Sequence, residues 1–419
     1  MCLTIPAKVV EVNGNKAVIF RDSAKKTIDI RTVSGLKVGD WVLYISDIAV
    51  QKVSAKDAKE ILDLLEYTQK TDPEGLNPQF IDIIKNSKIR KLNKDELEFL
   101  LKTNGRERDA LYSEAEMIRR MHIKDFFCIH GIIEFSNYCI NDCFYCGLRK
   151  ENDQILRYRM SVGEIVRAAE KAVKKGYKLL VLQSGDDPFY SKEKLIEIVR
   201  KIKEKCRVFI FISIGERDFE TYKALREAGA DGVLFRFETS NENLFKKIHP
   251  KGKNFKYRFR LLNYLKELGY FIATGSIIGL PYQVISDLAV DIVILREMKV
   301  DMVSMGPFVP CPNTPFAKKA HGDIDLTLKM ISILRLEMND ARIPVTTALE
   351  TLDPENGIKR GIKAGANALM FNVTPKKYQP HYQIYKRKVS AGRKTWEKYG
   401  LYNTEESYKM LEEKLGIRK

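Results

Sequence analysis

The sequence predicts an α/β protein, a full TIM-type (β/α)8 barrel preceded by a smaller domain that is itself a β-barrel. Three features of the 419-residue chain predict this arrangement. From Phe127 onward, eight apolar runs of strand length alternate with helical stretches, which favours a parallel barrel over a doubly wound sheet. Residues 1–68 contain shorter β-type runs broken by turn residues. The stretch QKTDPEGLNPQ at 69–79 is polar and contains Pro and Gly, which is typical of a linker.

The N-terminal region is predicted to be a small β-barrel that ends in a helix. KAVIF, KTIDIRTV and DWVLYIS are β-type runs, and Asn13-Gly14 and Gly39-Asp40 are turn signals between them. SAKDAKEILDLLEY begins at Ser54, a residue type that caps helix N-termini, and continues with amphipathic spacing. We therefore expect residues 1–68 to fold as one small domain.

Residues 80–419 are predicted to form the larger barrel, with a helical lead-in over 80–123 and a C-terminal extension. Stretches such as SVGEIVRAAEKAVKKG and LTLKMISILRLEM have helical periodicity and separate the apolar runs. In such barrels the chemistry lies at the C-terminal ends of the strands. The predicted strands are, in chain order, FCIHGIIEFS, YKLLVLQS, RVFIFIS, DGVLFRFE, YFIATGSIIG, DMVSMGPF, PVTTA and ANALMFN.

Three cysteines follow the first predicted barrel strand at C-x3-C-x2-C spacing. They are Cys139, Cys143 and Cys146 in EFSNYCINDCFYCGLR, with Tyr145 directly before the last. Three thiolates can hold three irons of a [4Fe–4S] cluster and leave the fourth iron open, whereas an electron-transfer ferredoxin supplies four. An open iron can bind the amine and carboxylate of S-adenosylmethionine (SAM), so that an electron from the cluster breaks the sulfonium C–S bond.

The alternative for these cysteines is a zinc knuckle or an incidental cluster. Zinc prefers four closed ligands, usually supplied as paired C-x2-C or C/H motifs, and the sequence contains no second pair. The spacing therefore favours the iron–sulfur interpretation.

Composition indicates an intracellular enzyme. The 7 cysteines are too few and too unevenly spaced for a disulfide framework, and 44% hydrophobic content is enough for a large domain and a small one. We see no signal peptide at the N-terminus and no apolar run of about 20 residues, so we expect a cytoplasmic protein that does not cross a membrane.

The net charge of +17 is spread over amphipathic helices in which Lys alternates with Glu. Nucleic-acid binding proteins instead cluster their cations with aromatic residues, so no nucleic-acid partner is expected. A basic surface that docks an acidic protein is an equally good interpretation of the charge.

The motifs resemble two families of hydrogenase maturation proteins. EFSNYCINDCFYCGLR, LQSGDDP, FRFET, GLP and GPFVPCPNTP resemble the HydE family of radical SAM maturases of iron–iron hydrogenases over roughly residues 95–390. That family is related to biotin synthase and to the methylornithine synthase PylB. MCLTIPAKVVEV and VGDWVLYISDIAVQKVSAKDAKEILDLL resemble HypC, a small chaperone of nickel–iron hydrogenase assembly.

The resemblance implies one [4Fe–4S] cluster on Cys139, Cys143 and Cys146, and SAM as the second cofactor. It implies that Tyr145 lies against the adenine, and that Glu238 and Arg258 hold the amino-acid part of SAM. A carboxylate suits the ammonium group and a guanidinium suits the carboxylate. The residues that match those lining the HydE cavity are Gln183, Ser184, Arg236, Thr346, Thr347, Tyr382 and Tyr385.

Several positions depart from the HydE pattern. The His and Arg that are common in the first strand are Cys128 and His130 here, and an Arg before FRFET is Gly232. The family's GLPGQT is GLPYQV. At the C-terminus, Ser390 stands where some relatives have the first cysteine of a second cluster, so we predict one cluster only.

Residues 1–68, called the head below, depart from the HypC pattern as well. Cys2 is present, and a thiolate beside a free α-amine can chelate a soft metal. Ile45 replaces the expected His. Two interpretations stay open: Cys2 carries or passes iron with fewer ligands, or the head is only a docking module.

Together these features predict a radical SAM enzyme that generates a 5′-deoxyadenosyl radical and acts in hydrogenase cofactor maturation. The expected substrate is a small iron-bound CO, cyanide and cysteine precursor, and the expected partners are a reductant such as ferredoxin or flavodoxin and other maturases. One alternative is a different substrate within the same branch, as in a methylornithine synthase-like mutase or in maturation of the mononuclear iron hydrogenase cofactor. The other is a non-catalytic iron carrier or scaffold.

Overall fold

The computed structural model describes residues 5–21, 24–59, 61–62, 75–123, 127–249 and 253–385. The chain divides into two compact units, Met1–Leu76 and Asn77–Lys419. Among the described residues, no helix combines the length and apolarity needed to cross a membrane.

The first unit is a closed five-stranded barrel in the order β1-β2-β3-β5-β4, with β4 returning to pair with β1. Alternating residues such as Ala7, Val9, Ile19 and Val42 fill its interior. Residues 55–59 and 61–62 are helical. The strands are β1 (Ile5–Asn13), β2 (Lys16–Arg21), β3 (Ala24–Asp29), β4 (Trp41–Ile45) and β5 (Ile48–Val53).

Two of these five strands are not among the β-type runs identified in the sequence. β1 contains a proline and a register shift between Val9 and Glu11, and both features break the simple period of two. β5 follows β4 through a tight turn at Ser46, whose φ of 51° is in the left-handed region although the turn contains no glycine. The usual hairpin signal is therefore missing there.

The second unit contains the predicted barrel of eight parallel strands, in the order β12-β10-β9-β8-β7-β6-β15-β14. The ring is nearly closed, because Met302 in β12 bridges to Arg342, two residues before β14. A separate parallel pair, β11 and β13, extends two of the strand ends. The strands are β6 (Cys128–Ser136), β7 (Leu179–Ser184), β8 (Phe209–Ser213), β9 (Gly232–Leu234), β10 (Phe271–Thr274), β11 (Ile277–Ile278), β12 (Met302–Val303), β13 (Gly306–Pro307), β14 (Pro344–Val345) and β15 (Ala368–Asn372).

Helices alternate with these strands, and side-chain caps fix most of their starts. Ser161 and Asn93 each form a capping box, with a glutamate three residues later that binds back to the cap. The helices are α1 (Pro78–Ser87), α2 (Lys94–Lys102), α3 (Gly105–Ile123), α4 (Val162–Lys174), α5 (Lys192–Lys205), α6 (Phe219–Glu227), α7 (Glu242–Ile248), α8 (Phe255–Glu267), α9 (Ile285–Glu297), α10 (Ile324–Glu337), α11 (Thr347–Leu352) and α12 (Gly357–Lys363).

The division into 1–68, 69–79 and 80–419 stays a prediction, because residues 63–74 lie outside the described residues. The start of the first helix differs from the predicted end of the linker. Helix α1 begins at Pro78, inside the predicted linker, because Asn77 caps it and proline suits the first helical turn.

The barrel interior changes from apolar to polar along the strands. Cys128, Val181, Phe211 and Met302 belong to the buried apolar interior. Closer to the C-terminal ends of the strands the residues are polar. Glu134 of β6 pairs with Gln183 of β7, and Nδ2 of Asn372 in β15 donates to Glu134 at 2.8 Å. The polar ends of the strands therefore face the loops that carry the cysteines.

Gly232 allows an aromatic ring to occupy the barrel. A Cβ atom at this position would lie 2.3 Å from the ring of Phe211. The ring in turn stacks on His130, with centroids 5.6 Å apart. Two departures from the family pattern, Gly232 and His130, thus meet at the same ring.

Candidate active site

The three cysteines lie in the loop after β6, at the C-terminal end of the barrel strands. All three thiols are free, and Cys139, Cys143 and Cys146 are each partly exposed. Burial, and then the neighbouring thiols, raise the pKa of Cys143 and of Cys146. The thiols of the three cysteines are therefore within electrostatic reach of one another.

The loop after β7 supports the cysteine loop from one side. Gly185 donates from its backbone N–H to the carbonyl of Ser136 at 3.1 Å, and Asp186 accepts from the N–H of Ile140 at 2.9 Å through its carbonyl. A Cβ on Gly185 would lie 2.1 Å from the Tyr138 carbonyl oxygen and 2.9 Å from the Cβ of Cys139. Only glycine fits this close approach.

A single arginine holds the other side of the loop. Arg157 donates to four backbone carbonyls, those of Asn137 and Leu148 through Nη1 and those of Arg149 and Asn152 through Nη2. Five N–H donors in a fixed fork make arginine suitable for this role. The sequence analysis did not identify Arg157, since no motif distinguishes it from other surface cations.

The segment around Tyr382 closes over the same loop. The N–H of Gly147 donates to the carbonyl of Ile384 at 2.8 Å, and a Cβ there would lie 2.2 Å from the Gln383 carbonyl and 2.5 Å from the Sγ of Cys311. Burial, then Glu134, raises the pKa of Tyr382 well above its usual range, and the cluster cysteines contribute as well. Tyr382 is therefore next to the cysteine loop, and Cys311 lies behind it.

The donor set fits an iron–sulfur cluster better than a single metal ion. No group of three or more His, Cys, Asp or Glu side chains in the described part of the chain could hold one ion. A cubane needs no such convergence, because each thiolate binds a different iron. The three cysteines are on a backbone loop fixed at several points, so they would hold the cluster, and the loss of their protons would accompany binding.

Tyr145 lies in the apolar surroundings of the cysteine loop and is oriented by a histidine. Its hydroxyl is 3.1 Å from Nε2 of His249, whose Nδ1 lies 3.1 Å from the carbonyl of Phe245. Burial, and then Cys143, Glu238 and other charges, raise the pKa of Tyr145. Tyr145 is therefore held against His249 and lies within electrostatic reach of Cys143 and Glu238.

Glu238 has a strained backbone. Its φ of 69° lies in the left-handed region that non-glycine residues rarely adopt. Backbone bonds hold it there: its N–H donates to the carbonyl of Gly275, and its carbonyl accepts from Ile277. Its Oε2 is 2.9 Å from Nη2 of Arg236, yet both atoms are buried and neither forms a well-aligned hydrogen bond with any described residue. Such strain clusters at functional sites.

Arg258 is held by a glutamate that the sequence analysis missed. Its Nε and Nη2 both donate to Oε1 of Glu216, at 3.0 and 2.7 Å, and Lys253 donates to Oε2 of Glu216 at 2.8 Å. Although burial raises it, Arg258 and Lys253 hold the pKa of Glu216 below its usual range. The available signal was the charged run GERD directly after the third barrel strand.

The predicted cavity residues occupy several strand ends. Gln183 Nε2 lies 3.4 Å from the hydroxyl of Ser213, and Ser184 bonds to the carbonyl of Gly185. In the part of the chain that the structure describes, the buried hydroxyl of Thr346 has no hydrogen-bond partner. Thr347, predicted to lie in the strand PVTTA, instead begins α11 and bonds to Tyr385 at 2.5 Å.

Cys2, proposed as a metal ligand, and Ser390, at the position of a possible second cluster, lie outside the described residues.

Comparison with known proteins finds two family models and a closely similar relative. A model of the radical SAM superfamily matches residues 133–292, and a model of the HupF/HypC family matches residues 1–65. The chain is 43% identical over 309 residues to "[FeFe] hydrogenase maturase subunit HydE" of Thermotoga maritima, which covers 74% of this chain and 88% of that protein.

A second group of relatives shares the same fold. The chain is 32% identical over 282 residues to 3-methylornithine synthase of Methanosarcina acetivorans, covering 66% of this chain and 78% of that protein. The crystal structure of methylornithine synthase (PylB) matches with a TM-score of 0.69 and 25% identity, over 80% of this chain and 99% of the other.

These relatives confirm the predicted barrel, the enzyme class and the pairing of a [4Fe–4S] cluster with SAM. The match to the HupF/HypC model confirms the resemblance of the N-terminal region. The chain belongs to the HydE family of radical SAM enzymes, with a HupF/HypC-type domain at its N-terminal side.

Proposed function

We propose that this enzyme acts in maturation of the H-cluster of [FeFe] hydrogenase, on a small iron-bound precursor with CO, cyanide and cysteine ligands. The 43% identity to a HydE protein over most of its length carries this proposal. When bound to Cys139, Cys143 and Cys146, the cluster supplies the electron that cleaves SAM into methionine and a 5′-deoxyadenosyl radical.

The residues beside the cysteine loop are suited to bind SAM. The carboxylate of Glu238 would accept hydrogen bonds from the ammonium group of SAM, and the strained backbone of Glu238 fixes the direction of that carboxylate. Arg258 would donate to the SAM carboxylate, while Glu216 holds the guanidinium in place. Tyr145 would lie against the adenine, with its ring oriented by His249.

The polar strand ends are suited to bind the substrate. Nε of Arg236 and the hydroxyl of Thr346 are buried without hydrogen bonds in the described structure, and such groups are costly unless a ligand satisfies them. Gln183, Ser184 and Thr347 supply further donors and acceptors. Tyr382 and Tyr385 would complete the cavity wall and exclude water from the radical.

A second candidate substrate is an amino-acid-derived molecule that undergoes rearrangement. Two observations favour it: the 32% identity to 3-methylornithine synthase, and the loss of cations where Phe211 fills the space beside Gly232. A ring in that space leaves less room and less positive charge for an anionic iron complex.

The N-terminal domain is proposed to recognise another maturase or a scaffold. Its closed barrel has its own core, as expected for a docking module. Cys2 would also allow the domain to carry iron, with its thiolate and α-amine as the metal ligands. The electron source would be a protein reductant such as ferredoxin or flavodoxin.

The test is release of 5′-deoxyadenosine by the anaerobically reconstituted enzyme with SAM and dithionite. We expect release that increases when an iron–carbonyl–cyanide–cysteine synthon is added, and none from Cys143→Ala. Release that ignores the synthon would favour the second candidate. A fully loaded cluster that releases no 5′-deoxyadenosine would contradict both and leave an iron carrier.

A further inference from the structure

An exposed aromatic ring lies between two lysines close to the cysteine loop. Tyr282 follows β11 and is 61% exposed. The ammonium groups of Lys247 and Lys319 lie 5.2 and 5.5 Å from its ring centroid. These distances are within the range of cation–π contacts. We refer to Lys247, Tyr282 and Lys319 as the Tyr282 patch.

The backbone of Tyr282 is strained as well as exposed. Its φ of 73° lies in the left-handed region, where a bulky side chain is an outlier and glycine is favoured. The HydE motif has glycine at this position. The chain therefore keeps a large exposed ring here against both the backbone preference and the hydrophobic effect. An outlier of this kind points to a contact that the isolated chain does not make.

A row of rings joins the patch to the cluster loop. The centroid of Tyr282 is 6.5 Å from that of Phe316, which is 5.9 Å from that of Phe144. Phe144 is the residue after Cys143, and its N–H donates to the carbonyl of Ile248, next to Lys247. A partner that covers Tyr282 is thus two ring contacts away from a cluster ligand.

The patch is positively charged. Within the described residues, no ion pair is formed by the ammonium group of Lys247 or Lys319, whereas the adjacent Lys246 is paired with Glu242 at 2.8 Å. Asp287, the carboxylate nearest to Tyr282 along the chain, is buried and accepts from Asn241 and from the N–H of Val284. The chain as a whole carries +17. An acidic protein surface complements this charge.

We propose that the Tyr282 patch is the docking surface for an acidic ferredoxin-type iron–sulfur protein that reduces the cluster. This inference rests on the proposed function, because radical SAM chemistry requires one electron from outside the enzyme. In the step, the reduced ferredoxin loses one electron, the oxidised cluster on the cysteine loop gains it, and no bond is formed or broken. Ferredoxins transfer one electron at a time at low reduction potentials, which suits this partner to the step.

The test follows reduction of the reconstituted full-length enzyme by a reduced acidic bacterial ferredoxin in a stopped-flow spectrometer. We expect the Lys247→Glu/Lys319→Glu variant to be reduced about tenfold or more slowly at low salt, because electrostatic steering is reversed. Tyr282→Gly should slow reduction by a few-fold, through loss of the ring rather than loss of the fold. Reduction by dithionite should not change in any variant.

The matched control is Lys194→Glu. The ammonium group of Lys194 lies 3.6 Å from the centroid of Phe189, a ring that is 46% exposed, so the variant makes half the charge change at a similar cation–aromatic pair. We expect Lys194→Glu to slow reduction by ferredoxin less than about twofold. The single variant Lys247→Glu, with the same charge change, should slow it more. High salt should remove the difference between wild type and the patch variants.

Three outcomes would overturn the proposal: wild-type rates in the patch variants, equal slowing in Lys194→Glu, or patch-dependent reduction by flavodoxin but not by ferredoxin. Calorimetric titration of the full-length enzyme with ferredoxin separates this inference from the proposed function. Ferredoxin binding that depends on the patch supports docking even if the loaded enzyme releases no 5′-deoxyadenosine.

Discussion

Gly185 limits how closely the β7 loop can approach the cysteine loop. Because a Cβ there would lie 2.1 Å from the Tyr138 carbonyl oxygen, Gly185→Ala must displace the backbone next to Cys139. We expect the variant to retain its fold but to bind less than half of the wild-type iron after reconstitution. Iron and sulfide analysis, with circular dichroism as the check on folding, measures this.

Gly163 supplies the control for that substitution. It lies in α4, and its Cβ would approach only the flexible end of the Arg167 side chain. Gly163→Ala should keep full iron content and should stabilise the helix by about 0.5–1 kcal/mol. Equal iron loss in both variants would contradict the proposed role of Gly185.

Asp291 is expected to make folding stability depend on pH. Burial, opposed by the hydroxyls of Ser240 and Ser276, raises the pKa of this carboxyl to about 7. The folded state then binds more protons than the unfolded state between about pH 4 and 7, so this group lowers the free energy of unfolding as pH rises through that window. Over that window the free energy of unfolding falls by on the order of a few kcal/mol.

The measurement for Asp291 is urea unfolding of wild type and Asp291→Asn between about pH 5 and 8. Asparagine can still accept the hydrogen bond that the N–H of Ser240 donates to Asp291 at 2.8 Å. We expect the difference in stability to shift in favour of the variant as pH rises. A difference that stays constant with pH would show that Asp291 does not titrate in this range.

At the residue scale, motifs in the sequence indicate the predicted ligands but not the residues that hold those ligands in place. The cysteines, Tyr145 and Glu238 lie in motifs of the predicted family, and Arg258 lies in a helix that follows. Glu216, Arg157 and His249 act by fixing other residues, and their positions depend on how separate loops meet in space. A single sequence does not show which loops meet in space, although the charged GERD run was a local signal for Glu216.

At the element scale, buried parallel strands were predictable because each appears as a short, nearly continuous apolar run. Boundaries were less predictable. PVTTA was expected to be one strand, but β14 contains only Pro344 and Val345, and α11 begins at Thr347. In the head, β1 and β5 lacked a clean period of two, and the turn before β5 lacked a glycine.

The end of β6 and the C-terminal segment are connected through one buried amide. Nδ2 of Asn137 donates to the carbonyls of Leu156 and His381, both at 2.8 Å, and its Oδ1 accepts from the N–H of Tyr158. Asn137→Ala leaves these groups unsatisfied and should lower the free energy of unfolding by about 2–4 kcal/mol. Denaturant unfolding monitored by fluorescence measures the change.

Gln383→Ala is the control within the same segment. Its side chain is exposed, and among the described residues it bonds to the carbonyl of Pro380 alone. We expect an effect of about 0.5 kcal/mol or less. Similar destabilisation by both variants would show that the amide of Asn137 has no special role.

At the scale of the whole molecule, the two compact units are expected to unfold separately. The first unit has a closed barrel and the second a nearly closed ring of eight strands, and each has its own apolar interior. Differential scanning calorimetry should therefore resolve two transitions, and removal of residues 1–76 should eliminate one of them while cluster loading and SAM cleavage stay unchanged. A single transition, or loss of iron binding on deletion, would contradict independent units.

The central claim is that Cys139, Cys143 and Cys146 hold a [4Fe–4S] cluster with one iron open to SAM. The most direct test is electron–nuclear double resonance of the reduced enzyme with SAM labelled by 15N in its amino group and 17O in its carboxylate. We predict coupling of both labels to the cluster in wild type and its loss in Cys143→Ser. A fully loaded, reduced cluster in wild type that shows no coupling to either label would contradict the claim.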